Sequence, residues 1–220
     1  MSNIVTMAFT AEGTTDQRFL ESIIKRTFEE VAFQCEGLIE VYDPVYIKFP
    51  KKDGFAAGVS AVALEAFNVG INILCIHVDA DDKDDSEVVQ HKITPSFNAV
   101  AELKGNVCKN LVAIIPVYMS ESWMLADKGL LKDEIDTTKS DDELGIQKDV
   151  ESIPDPKILI KSAIRIAQSH LSKRRSRITI NDLYQPIGQK LPIHKLEELP
   201  SFKKFKLSVE EAFRKLHYLH

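Results

Sequence analysis

Cysteine is scarce in this chain. Three residues in 220, Cys35, Cys75 and Cys108, are an odd number with no paired spacing. That excludes a disulfide framework and a Cys-x-x-Cys zinc site, and it predicts reduced core thiols in a cytoplasmic protein. Glycine and proline number 9 each, without period or clustering, so collagen-like and low-complexity architectures are out. No apolar run approaches the ~20 residues of a membrane span. Met1-Ser2-Asn3 carries no basic or apolar leader, and no secretion signal is expected. No Gly-x-x-x-x-Gly-Lys-Ser/Thr occurs, so a nucleotide-hydrolysing P-loop must come from another chain. No internal repeat is visible. What remains is 44% hydrophobic and 28% charged, the balance of an ordinary folded domain.

The net charge of -5 conceals an asymmetry. Up to Pro156 there are 28 acidic side chains against 14 basic ones, whereas from Lys157 onward there are 5 against 14. An acidic front and a basic tail could simply attract each other. They could also divide labour, the acids holding metal and the bases holding polyphosphate.

Short apolar segments alternate with helical periodicity. Ile4–Phe9 reads as a buried strand. A helix follows from Thr14 or Thr15, with Phe19, Leu20, Ile23, Ile24, Phe28 and Val31 on one face. Leu38–Phe49 is strand material broken at Asp43-Pro44, which suits an edge. Ala56–Phe67 reads as helix, ended by Gly70, and Ile71–Val78 as the clearest buried strand. After a polar stretch through Lys92, Thr94-Pro95 opens a helix to Leu103. Leu111–Tyr118 is another strand, and a helix starts at Ser120 or Glu121. Asp133–Glu151, acidic and weakly patterned, is expected to be a loop. Helices are expected over Lys157–Leu171 and Ser208–Tyr218. The alternation predicts an α/β fold, a mainly parallel sheet flanked by helices, with a basic helix-rich extension over 128–220 packed on a 1–127 core.

In such sheets ligands sit beyond the carboxyl ends of the strands. Carboxylates occupy those positions here. Glu12 follows the first strand and Asp16 lies one helical turn on. Asp79 and Asp81 follow the central strand, with only Ala80 between them, and Glu121 follows the later one. A hard-oxygen set without His/Cys partners suits Mg²⁺ or Mn²⁺. Such an ion could assist phosphodiester cleavage, with Glu12 as a general acid or base. His77 reads as a core histidine, and Asp82, Asp84, Asp85 and Glu87 as a solvated run. Lys173-Arg174-Arg175-Ser176-Arg177 is the densest basic cluster and offers salt-dependent phosphate contacts. Lys203, Lys204 and Lys206 interleave with Phe202 and Phe205. That pattern fits either base stacking or core packing. Trp123 reads as core.

Glu12-Gly13-Thr14-Thr15-Asp16 and Asp79-Ala80-Asp81 resemble the Toprim domain of topoisomerases, primases and OLD-family nucleases, with the Glu12/Asp16 spacing closer to the OLD type. Glu121-Ser122-Trp123-Met124-Leu125-Ala126-Asp127, Asp155-Pro156-Lys157 and Pro200-Ser201-Phe202-Lys203-Lys204-Phe205 look like small stand-alone Toprim-like proteins related to RloB. The resemblance implies Glu12, Asp79 and Asp81 as catalytic and metal-binding, with Asp16 and Glu121 as further ligands of Mg²⁺ or Mn²⁺. It also implies a nuclease acting on DNA or RNA (tRNA included) beside a separate ABC- or AAA-type ATPase, in anti-phage defence. A non-catalytic subunit that regulates such an ATPase is the alternative expectation.

Overall fold

Every strand pairing in the computed structural model is parallel. Residues 3–50, 54–169 and 178–219 are described. The strands are β1 (Asn3–Val5), β2 (Met7–Thr10), β3 (Ile39–Val41), β4 (Val45–Tyr46), β5 (Ile73–His77) and β6 (Leu111–Ile114). The larger sheet runs β4-β2-β5-β6, and β1 pairs with β3 alone. Chain order therefore reverses between β2 and β5: the chain leaves β2 for the β4 edge, then returns to the other side of β2.

The expected first strand is split at Thr6. Asn72 inserts there. Its Oδ1 accepts from the Thr6 amide at 3.0 Å, and its own amide donates to the Thr6 carbonyl at 3.1 Å. Residues before Thr6 pair with β3 and those after it with β4 and β5. Asp43-Pro44 separates β3 from β4 in the same way, as expected of an edge.

The helices are α1 (Thr14–Ala32), α2 (Phe55–Asn68), α3 (Ser86–Val88), α4 (Thr94–Glu102), α5 (Glu121–Met124), α6 (Lys128–Glu134), α7 (Asp141–Leu144), α8 (Pro156–Ala167), α9 (Tyr184–Lys190), α10 (Ile193–Leu196) and α11 (Pro200–Lys215). They cover both faces of the sheet, and the period-2 alternation of the strands decides which side chain meets which layer. Met7, Phe9, Ile73, Cys75, Val112 and Ile114 join the cluster beneath α1 and the carboxyl-terminal helices. Ala8, Leu74, Ile76 and Leu111 join the cluster beneath α2 and α4. Cys75 and Cys108 are buried, and burial pushes the Cys108 thiol up to about 11, so it stays protonated and packs as a small hydrophobe.

The 128–220 region shares the first of these cores rather than building its own. Trp123 lies edge-on to Phe202, ring centroids 5.2 Å apart, and donates to Ser201 Oγ at 2.7 Å. Arg26 on α1 donates to the carbonyls of Gly188 and Leu191, both at 2.6 Å. The α1–α9 contact is so close that a Cβ at Gly188 would run into the Phe19 carbonyl oxygen. Gly188→Ala must force the two helices apart. The expected cost is about 1–3 kcal/mol, read as a lower urea midpoint at unchanged slope.

Three expectations are corrected. Asp133–Glu151 is mainly irregular, as expected, but it is interrupted by α7, because Ser140 and Glu143 form a reciprocal capping box that starts this helix and Gly145, at φ 74°, ends it. The helical path to α4 begins at Ser86, not Thr94. A π-turn over Val89–Ile93 sets the buried Val88 and Ile93 five residues apart, a spacing that α-helical periodicity does not detect. The last helix starts at Pro200, eight residues early, since Phe202, Phe205, Val209, Ala212 and Phe213 form one buried face.

Candidate functional site

The order reversal between β2 and β5 makes a crevice at their carboxyl ends, the place where open α/β sheets bind ligands. Glu12 leaves β2 into it and Asp79 leaves β5 into it. The β5–β6 ladder continues past its regular strands, with Val78, Ala80 and Asp81 donating to the carbonyls of Ile114, Pro116 and Tyr118. That pairing holds the acidic turn against β6. Asp81 adopts a left-handed backbone, φ 55°, which turns the chain sharply after Asp79. Asp81 and Asp82 are exposed, in keeping with an outward turn.

Asp79 is fixed from several sides. Its Oδ1 accepts from the Ser120 amide at 3.0 Å, lies 3.4 Å from Ser120 Oγ and 3.3 Å from His77 Nε2. Ser120 Oγ and His77 Nε2 are themselves 3.0 Å apart. His77 is buried as expected, but it is bonded into the site and not merely packed in the core. Residues two apart on a strand share a face, and that places it beside Asp79.

Charge accumulates here. Burial raises the Glu12 carboxyl above its usual range, and Asp79 and Asp81 add to the rise, with His77 and Lys92 opposing it. Asp16 is raised mainly by burial and also by Asp79 and Glu121, against His77 and a hydrogen bond with Ser120. Burial would lower His77, but the Asp79 hydrogen bond and the charges of Asp79, Asp16 and Glu12 outweigh it, and the imidazole is raised. Asp79 thus lies within electrostatic reach of both Glu12 and Asp16, and Asp81 within reach of Glu12.

Glu121 stands differently. It is buried at the start of α5. Its Oε1 accepts from Lys157 Nζ at 2.9 Å and from the Tyr184 hydroxyl. Lys157 is raised because that pairing outweighs its desolvation, and Asp16 and Asp79 contribute. Burial and Glu121 push the Tyr184 phenol far up, so it remains a donor. The resemblance singled out Lys157 through Asp155-Pro156-Lys157, but nothing local marked Tyr184, which sits 63 residues from its partner.

Among the described residues, no group of three or more His, Cys, Asp and Glu side chains is drawn together tightly enough to hold one metal ion. The donor chemistry nonetheless fits a hard divalent cation. The carboxylates are oxygen-only donors, Glu12 and Asp16 are partly desolvated beside the charge of Asp79, and that repulsion is what such an ion relieves.

Lys173, Arg174, Arg175 and Arg177 lie outside the described residues. In the second basic stretch, Phe202 and Phe205 are buried core. Lys204 pairs with Asp85 at 2.8 Å, and Lys206 pairs with Glu30 at 3.0 Å and with Glu197. Those two lysines hold α11 to the acidic front of the chain, which is the intramolecular reading of the charge asymmetry. No helix among the described residues is long and apolar enough to cross a membrane. No family model, curated protein or solved structure matches the chain.

Proposed function

We propose that this chain is a Mg²⁺- or Mn²⁺-dependent nuclease of the Toprim type, cleaving phosphodiesters of DNA or RNA. The observation that supports the reading is that Glu12 and Asp16 both lie within electrostatic reach of Asp79, beyond the carboxyl ends of β2 and β5 where the sheet order reverses. A bound divalent ion supplies charge neutralisation at a phosphoryl oxygen and a more acidic water. The chain's own part is to hold and orient. Ser120 and His77 fix the Asp79 carboxylate. Glu12, exposed at the rim, is the group free to give or take a proton at a substrate oxygen. Glu121 works through Lys157, stationing an ammonium near Asp16 and Asp79. Lys173, Arg174, Arg175 and Arg177 complete the proposal as backbone-phosphate contacts.

The resemblance supports a cytoplasmic effector subunit working with a separate ABC- or AAA-type ATPase in anti-phage defence. A second reading, a non-catalytic subunit that regulates that ATPase, is favoured by one observation: the carboxylates are not gathered into a finished cage.

The deciding experiment incubates plasmid DNA and total RNA with the chain, alone and with an ATPase encoded by a neighbouring gene, in Mg²⁺ or Mn²⁺. Cutting that vanishes on metal removal and in Asp79→Ala/Asp81→Ala is the expected result. Cutting by the double variant at the wild-type rate refutes the site. A stable ATPase complex that never cuts supports the second reading.

A further inference from the structure

A cleft of 460 Å³ adjoins the carboxylate crevice on the β4 side. Thr10, Tyr46, Lys48, Phe49, Phe55 and His77 line it, and Glu12 stands at its border. We propose that this cleft is a nucleobase subsite, holding the base of a nucleotide whose phosphate lies toward Glu12. The inference deepens the nuclease reading and rests on it for the source of the nucleotide, but the binding it asserts can be tested without cleavage.

Three features of the cleft point to a base. The first is an aromatic lining. Phe49 and Phe55 stack with centroids 5.2 Å apart and planes at 28°, and Tyr46 stands edge-on to Phe9 beside them. Phe49 is held in place by the absence of a side chain on α2: a Cβ at Gly58 would lie 2.5 Å from the Phe49 ring. An aromatic ring face can stack on any base, because every base has a π-face.

The second feature is unmet polarity. Thr10 is 1% exposed and His77 is 3% exposed, yet Thr10 Oγ1 and His77 Nδ1 have no hydrogen-bond partner. Buried orphan groups of this kind are uncommon and costly, and the two residues that carry them both border this cleft, where a ligand with polar edges could answer them. An aliphatic ligand would leave both unpaired. A nucleobase answers both, with a stacking face and an edge of donors and acceptors.

The third feature is charge and size. Lys48 is exposed at the cleft, a cation available to a phosphate. The volume lies within the range of small-molecule sites.

The test measures anisotropy of fluorescein-labelled single-stranded DNA and RNA decamers, each made with bases and as an abasic counterpart, binding to the full chain in EDTA. Wild type should prefer the base-bearing strand. Phe49→Ala should bind it about 5-fold or more weakly, the loss expected from one base–aromatic stack, and should no longer distinguish it from the abasic strand. Phe49→Tyr should keep the preference. Thr10→Val, which replaces the unpartnered hydroxyl with a methyl of similar size, should fold at least as stably as wild type and still bind more weakly, so the proposal remains testable if Phe49→Ala does not fold. AMP competition identifies the source: displacement at equal base preference marks a free nucleotide, and none marks a base within a strand. Equal affinity of wild type for base-bearing and abasic decamers, or unchanged base preference in Phe49→Ala, overturns the subsite. Binding is read in EDTA and cleavage with metal, so a chain that binds bases but never cuts, and one that cuts but ignores bases, are told apart.

Discussion

Glu12→Gln should lower metal-dependent cleavage by about 100-fold or more, the usual contribution of a general acid or base. The same substitution should leave the melting temperature unchanged or slightly higher. Gln keeps the size of the side chain and removes only its charge. The sign follows from its environment. Burial, Asp79 and Asp81 raise this carboxyl in the folded chain, so its ionisation opposes folding. Wild type therefore gains stability as the pH falls through the raised folded value, and Glu12→Gln lacks that gain. Opposed effects on activity and stability are the signature of a residue kept for chemistry. A drop in activity accompanied by a large drop in melting temperature would instead make Glu12 structural.

Trp123→Ala should be the most destabilising single change, about 3–5 kcal/mol, measured by chemical denaturation. The indole is fully buried against Phe202 and Phe205, and its N–H is satisfied by Ser201. Trp123 sits at the joint between the sheet core and α11, so its loss loosens both. One unfolding transition is expected, since a single hydrophobic cluster spans the 1–127 and 128–220 regions. Two separated transitions, or a loss below about 1 kcal/mol, would contradict that unity.

Much of this arrangement was legible from local pattern. The apolar run into Asp79, and Glu12 after β2, needed only period-2 and period-3.6 reasoning. The parallel sheet with helices on both faces followed from alternation. Features that depend on distant partners were not legible. Nothing around Thr6 announces a break, because Asn72 makes it from 66 residues away. The helix α9 contains Pro186 and Gly188, both poor helix residues, and it holds because Arg26 binds its terminal carbonyls and Gly188 fits against Phe19. The Ser140/Glu143 box was present in the sequence but was outweighed by the acidity around it. In the site, the backbone positions of the carboxylates could be read, but Tyr184 and Lys157 on Glu121 could not, since tertiary packing alone brings them there.

The central claim is that the carboxylates at the sheet's order reversal hold a hard divalent ion. Mn²⁺ binding, followed by the loss of the free-ion electron paramagnetic resonance signal, tests it without any assumption about substrate. Wild type should bind, Mg²⁺ should compete, and Asp79→Ala should weaken binding by at least about 10-fold while remaining folded. Equal Mn²⁺ affinity in wild type and Asp79→Ala would contradict the account.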